Sequence, residues 1–185
     1  KMVFQKNAIA IFIGTCLIVT LFSSCESNLK EVQKINFSEF TPSGEAEDLN
    51  LKYTDSGAIK SILVSSKMHD YATVTYPFTE FPNGIHVTFF ESKGKKTFVT
   101  SNHAVSYKTT SVIDLQGKVV ISNEFGQKLE TEQLYFDQKN EWFFTEEAFT
   151  FKDADGSFLQ GIGIDFSKDF KIFNMQNNNG EVNNM

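Results

Sequence analysis

The chain contains no arginine; all 17 of its basic residues are lysine. Bidentate grip on phosphate or carboxylate is mainly arginine's work, so that mode of recognition is missing. Acidic residues number 23, and the formal net charge is −6. An acidic, arginine-free surface speaks against nucleic acid, which needs clustered positive charge facing phosphate. Cysteine is nearly absent too, with only Cys16 and Cys25. His69, His86 and His103 stand in different strand-like runs, without HxxxH spacing or a nearby cysteine, so no metal centre is expected. The sole close glycine pair, Gly161-Ile162-Gly163, opens no helix, so neither a phosphate loop nor a nucleophile elbow is present.

Two apparent sites fail on spacing. "KDADGSF" hints at a calcium loop, but placing Asp153, Asp155 and Gly156 at positions 3, 5 and 6 puts Phe151 and Ile162 at positions 1 and 12. Neither residue can bind calcium, so the stretch is read as a turn. Glu146 and Glu147 could serve a glycosidase, but adjacent residues on a strand point to opposite faces. No catalytic constellation, cofactor motif or enzyme activity is expected.

The first 24 residues have a charged, apolar and small-residue layout. Lys1 and Lys6 precede fifteen uncharged residues, Ala8 to Phe22, followed by Ser23 and Ser24. That layout fits a secretory signal, and fifteen is short of the roughly eighteen that argue for a membrane span. Small residues leading into Cys25 also resemble a bacterial lipobox, with Phe22 where leucine is usual. Cys25 is therefore the expected lipidation site and first mature residue. The alternative is an uncleaved single-span anchor, and either reading exports the remainder of the chain and tethers it to a membrane.

Residues 25–185, 161 in all, suit a single core, with 15 lysines against 23 acids and a formal charge of −8. With no cysteine besides Cys25, this part can form no internal disulfide. Residues 25–48 are polar and read as a tether with one helical turn at "NLKEVQKI"; the domain is expected over 49–185. From Leu49 on, apolar-alternating runs are broken by four-residue turns ending in glycine: "TDSG", "ESKG", "NEFG" and "DADG". That is hairpin grammar, because glycine takes the positive φ such turns require. No ten-residue helical stripe appears after residue 49, so the class is all-β.

Glycines at 57, 94, 126, 156 and 180 mark an internal repeat, with spacings of 37, 32, 30 and 24. Gly126 and Gly156 match best. Each is followed at +3 by leucine (Leu129, Leu159), at +5 by a small residue (Thr131, Gly161), at +8 by an aliphatic (Leu134, Ile164) and at +10 by phenylalanine (Phe136, Phe166). A sheet growing by such units leaves an open edge at each end. At the C-terminal end the run from about Phe170 to Val182, including Phe170, Ile172 and Phe173, is expected to offer that edge.

Phenylalanine is in excess, 20 in the chain and 17 after residue 24. Ile85, Val87 and Phe89 share one strand face, as do Val119 and Ile121, and Phe149 and Phe151. An ordinary β core accounts for part of this; a greasy surface between two sheet layers that admits lipid chains is the other reading.

Tyr76 to Tyr107, "YPFTEFPNGIHVTFFESKGKKTFVTSNHAVSY", and Leu115 to Asp137, "LQGKVVISNEFGQKLETEQLYFD", resemble the LptC family, the inner-membrane-anchored component of the lipopolysaccharide export bridge. "FTFKDADGSFLQGIGIDF" continues the likeness, which spans residues 49 to about 175. Its elements are Leu and Gly before a valine-rich strand, Asn-x-x-Gly-x-x-Leu-x-Thr-x-x-Leu, and Gly-x-Gly one unit later. The same motifs fit the wider LptA-like group. Well-known members use an uncleaved membrane helix where this chain has a lipobox-like cysteine.

The resemblance implies an open antiparallel β-jellyroll, folded like a taco, on the periplasmic side of the inner membrane. Lipopolysaccharide acyl chains would lie in its groove, against Ile85, Val87, Phe89, Val119, Ile121, Phe149 and Phe151. Its N-terminal edge would pair with an LptF- or LptG-type jellyroll and its C-terminal edge with an LptA-type protein. Because the surface is acidic, recognition would fall to the acyl chains. Two other classes stay open at this point. An outer-membrane-type lipoprotein, acting as lipid carrier or assembly factor, would show a closed barrel. A secreted carbohydrate-active enzyme would show convergent carboxylates in a cleft.

Overall fold

The structure is a computed structural model, and it describes residues 41–91 and 94–181. The expected signal segment 1–24, Cys25 and the "NLKEVQKI" turn lie outside the described residues. Among the described residues there are eleven strands and no helix: β1 (Gly44–Asp55), β2 (Ala58–Tyr71), β3 (Phe78–Phe81), β4 (Ile85–Phe90), β5 (Lys96–Ser101), β6 (His103–Tyr107), β7 (Val112–Asn123), β8 (Lys128–Asp137), β9 (Trp142–Lys152), β10 (Phe158–Ser167) and β11 (Phe173–Glu181). Every pairing is antiparallel.

The four predicted turns fall between strands, and Gly57, Gly94, Gly126 and Gly156 all have positive φ. Gly180 does not belong with them: it lies inside β11, opposite Leu159. The first strand also begins earlier than the expected boundary at Leu49. Residues 44–47 already pair with residues 67–70 of β2. Those residues read as tether because β1 is exposed on both faces along most of its length. A strand with no buried face has no reason to alternate apolar and polar residues.

The sheet folds over itself along a line of bulges. Register shifts fall between Gln116 and Val119 in β7, between Thr131 and Tyr135 in β8, and between Ile162 and Ile164 in β10. Glu146 and Glu147 of β9 stand opposite the single residue Gly163 at the same line. A bulge bends its strand and adds twist, and bulges in neighbouring strands turn the sheet together. One half of β7 therefore pairs with β6, and the other half pairs with β5. β2 divides likewise between β3 and β4.

The two layers meet through aromatic side chains. Phe136, Phe143, Phe166 and Phe173 sit opposite one another on four successive strands, with ring centroids 4.5, 5.4 and 5.7 Å apart along the row. Phe89 of β4 reaches across to Phe136 at 5.2 Å. Leu115, Ile121, Leu129, Leu134, Phe143 and Phe166 are the largest fully enclosed apolar side chains with them. β1 pairs only with β2 and β11 only with β10, so each leaves one edge open among the described residues.

Candidate functional site

Between the layers runs a groove of about 650 Å³. One wall is β4, with Ile85, Val87 and Phe89; the opposite side includes Phe81, Ile113 and Phe136. Leu63 and Met68 of β2 and Leu51 and Tyr53 of β1 complete the apolar lining towards the N-terminal edge. Leu51 is 48% and Tyr53 65% exposed, so apolar surface continues out along the open side. A second, more polar cavity of about 540 Å³ adjoins the groove and shares Tyr53, Lys60, Glu141 and Lys168 with it. The whole is amphiphilic, an apolar channel leading into a polar vestibule, and suits a ligand with chains at one end and a polar head at the other.

Of the seven residues expected in the groove, Ile85, Val87 and Phe89 line it. Val119, Ile121 and Phe149 are buried deeper in the core, and Phe151 packs its ring on Phe170 and Phe173. Shared strand parity identified an inward face, but did not separate the open part of the interior from the part already filled. Sequence reasoning missed Leu51 and Tyr53, because the open-edge strand they sit on carries little amphipathic pattern.

At the C-terminal edge the placement is narrower than expected. Phe170 is a core residue in the β10–β11 turn, 5% exposed, with positive φ. Ile172 also lies in that turn, where its N–H donates to Ser167 Oγ at 3.0 Å and its carbonyl accepts from Ser167 N at 3.0 Å. Phe173 opens β11 and ends the phenylalanine row. The open edge is therefore β11 itself, and the turn before it serves the core.

The histidines that stand apart in sequence do not all stand apart in space. Pairing of β2 with β3 and β3 with β6 brings His69 and His103 to one carboxylate, Glu80. His103 Nε2 lies 3.0 Å from Glu80 Oε1 and His69 Nδ1 3.6 Å from Oε2. Hydrogen bonding from His103 holds the Glu80 carboxyl below its ordinary value against the effect of burial, and His69 adds to the lowering. Asp153 and Asp155 instead cap their own turn, accepting from Ala154 N at 2.7 Å and from Ser157 N at 2.8 Å.

An open two-layer β-groove with a free strand at each end is the arrangement the resemblance called for. The family model for lipopolysaccharide-assembly, LptC-related proteins matches residues 8–180. The chain belongs to the LptC family. No curated protein matches it. Its role therefore lies in lipopolysaccharide transport, and the family is a periplasmic, inner-membrane-associated transport component. Among the described residues no helix is long and apolar enough to cross a membrane.

Proposed function

We propose that this LptC-family domain receives lipopolysaccharide from an LptF/LptG-type inner-membrane transporter and passes it to an LptA-type periplasmic protein. The acyl chains travel in the groove against Ile85, Val87 and Phe89, while sugars and phosphates stay towards solvent. The observation that carries this reading is the groove itself, apolar along its walls and open beside a strand whose outer edge is free. Strand addition at β1 would continue the groove into the transporter's jellyroll, and addition at β11 would continue it into the periplasmic partner. The open sheet, with two free ends among the described residues, also favours this reading over a closed-barrel lipid carrier. Cys25 would hold the domain at the outer face of the inner membrane.

A photo-crosslinker at Val87 or Phe89 is expected to capture lipopolysaccharide in cells, while one at Thr150 captures none. Thr150 has the opposite strand parity to buried Phe149 and lies outside the groove. Equal capture at all three positions would overturn the groove assignment.

A further inference from the structure

The groove's charge runs against that of the chain. Acids outnumber lysines 23 to 17 overall, yet of the four charged side chains lining the groove three are lysines: Lys52, Lys60 and Lys168, with Glu141 the only acid. Lys60 and Lys168 occupy a particular place, since both line the apolar groove and the polar vestibule. They approach from different elements. Lys60 belongs to β2 where the register with β1 shifts beside Tyr53, and Lys168 belongs to the β10–β11 turn.

Their surroundings differ in a useful way. No carboxylate pairs with Lys52 or Lys60 among the described residues. Lys168 is 15% exposed; its Nζ sits 2.6 Å from Glu141 Oε1 and 5.4 Å from the centre of the Phe89 ring. Its backbone is fixed as well, with its N–H donating to Glu141 O at 3.0 Å. The cation is thus held at the end of the apolar wall, facing an acid that an incoming anion could replace. The vestibule's other acids are Asp55, Glu91 and Asp169: Asp55 accepts from Ser56 Oγ at 3.1 Å, Asp169 is paired with Lys171, and burial pushes the Glu91 carboxyl up.

We propose that Lys60 and Lys168 form an anion-binding subsite at the junction of groove and vestibule, taking a phosphate borne by the lipid whose chains fill the groove. The inference rests on the groove reading above and replaces the expectation that acyl chains alone carry recognition. A phosphate there exchanges the Lys168–Glu141 pair for a Lys168–phosphate pair and gives Lys60 a counter-charge that it lacks among the described residues. Lysine acts on phosphate as a point charge, so the site needs no arginine. Lys168, 15% exposed beside the Phe89 ring, is partly desolvated, which strengthens its contact relative to one in open water, while Lys60 is exposed and reaches the anion from the solvent side.

The test is a titration of the full chain, followed by the fluorescence of Trp142, the single tryptophan and part of the vestibule lining. The probes are lipid A and its dephosphorylated form with the same acyl chains. The wild-type chain is expected to prefer the phosphorylated lipid, and rising salt should shrink the preference. In the Lys60→Gln/Lys168→Gln double variant, affinity for the phosphorylated lipid should fall by about tenfold while affinity for the dephosphorylated lipid stays put. Glu141→Gln, which frees Lys168, should tighten binding of the phosphorylated lipid several-fold and leave the other unchanged. Excess inorganic phosphate should not displace the lipid, because a free anion gains nothing from the groove; displacement would overturn the lipid-borne assignment. Equal loss of both lipids in the double variant, or no loss of either, would overturn the subsite while leaving the groove reading intact. If neither lipid bound the wild-type chain, the groove reading would fall and the subsite with it.

Discussion

Phe143 shows what single side chains do in this sheet. It is fully buried, stacks on Phe136 at 4.5 Å and on Phe166 at 5.4 Å, and meets Phe89 of the facing layer at 6.5 Å. Phe143→Ala should therefore cost about 3–5 kcal/mol, seen as a lower urea midpoint. Phe144→Ala should cost clearly less, because Phe144 is 36% exposed and stacks mainly on Tyr135. Glu80 carries a different kind of stability. Its folded-state carboxyl is lowered, chiefly by His103. A lowered carboxyl contributes stability that is present above the unfolded glutamate value and lost as pH falls through the folded one. Glu80→Gln should thus be less stable than wild type above the ordinary glutamate range, with the gap closing as pH falls through and below that range in urea unfolding. A gap that stayed constant over that range would show that the two histidines contribute nothing through charge.

The elements matter most where their regular pairing stops. The turn between β3 and β4 places Gly84 against β5: φ is +80°, and a Cβ there would lie 2.0 Å from Ser101 O. Gly84 O also accepts from the buried Ser65 hydroxyl at 2.7 Å. Gly84→Ala combines a steric clash with an unfavourable backbone region and should lower the thermal midpoint sharply; an unchanged midpoint would show that the turn can move aside. β11 stops the sheet without closing it. Removing residues 177–185 keeps Phe170 and Phe173 in the core and takes away most of the edge. The shortened chain is expected to keep its cooperative unfolding and to lose capture of an LptA-type partner. Capture at full strength by the shortened chain would place the docking edge elsewhere.

At the scale of the whole domain, the described residues leave one open edge at each end, and such a sheet can be extended in two directions. Such edges are a hazard for a protein that stays alone, because unpaired donors and acceptors template aggregation. In the proposed relay they would be where neighbours join, and pairing at both ends would line up one groove with the next. Under the proposed reading, a lipid on Cys25 would complete the arrangement. Membrane-extracted protein is expected to give an intact mass for a chain starting at Cys25 with added acyl groups, each buried methylene contributing about 0.8 kcal/mol of anchoring. An unmodified chain retaining residues 1–24 would favour a helical anchor instead.

The sequence by itself determined the class, the turns and much of the inward face. Period-two alternation and glycine-ended turns are local signals, and local geometry alone can satisfy them. It also held the crease in plain view: in both repeat units the step from +5 to +8 is three residues rather than two, and the register shifts of β8 and β10 fall there. A three-residue step swaps the inward parity, which is what a bulge does. Tertiary structure decided the rest. Which buried positions face this groove and which do not depends on how two distant strands are spaced, so Val87 lines the groove while fully buried Val119 does not. The meeting of His69 and His103 at Glu80 needed β2, β3 and β6 side by side. The gathering of Lys52 and Lys60 from β1 and β2 with Lys168 from the β10–β11 turn, in an acidic chain, likewise follows from which elements the folded sheet brings together, and no count of charges along the sequence contains it.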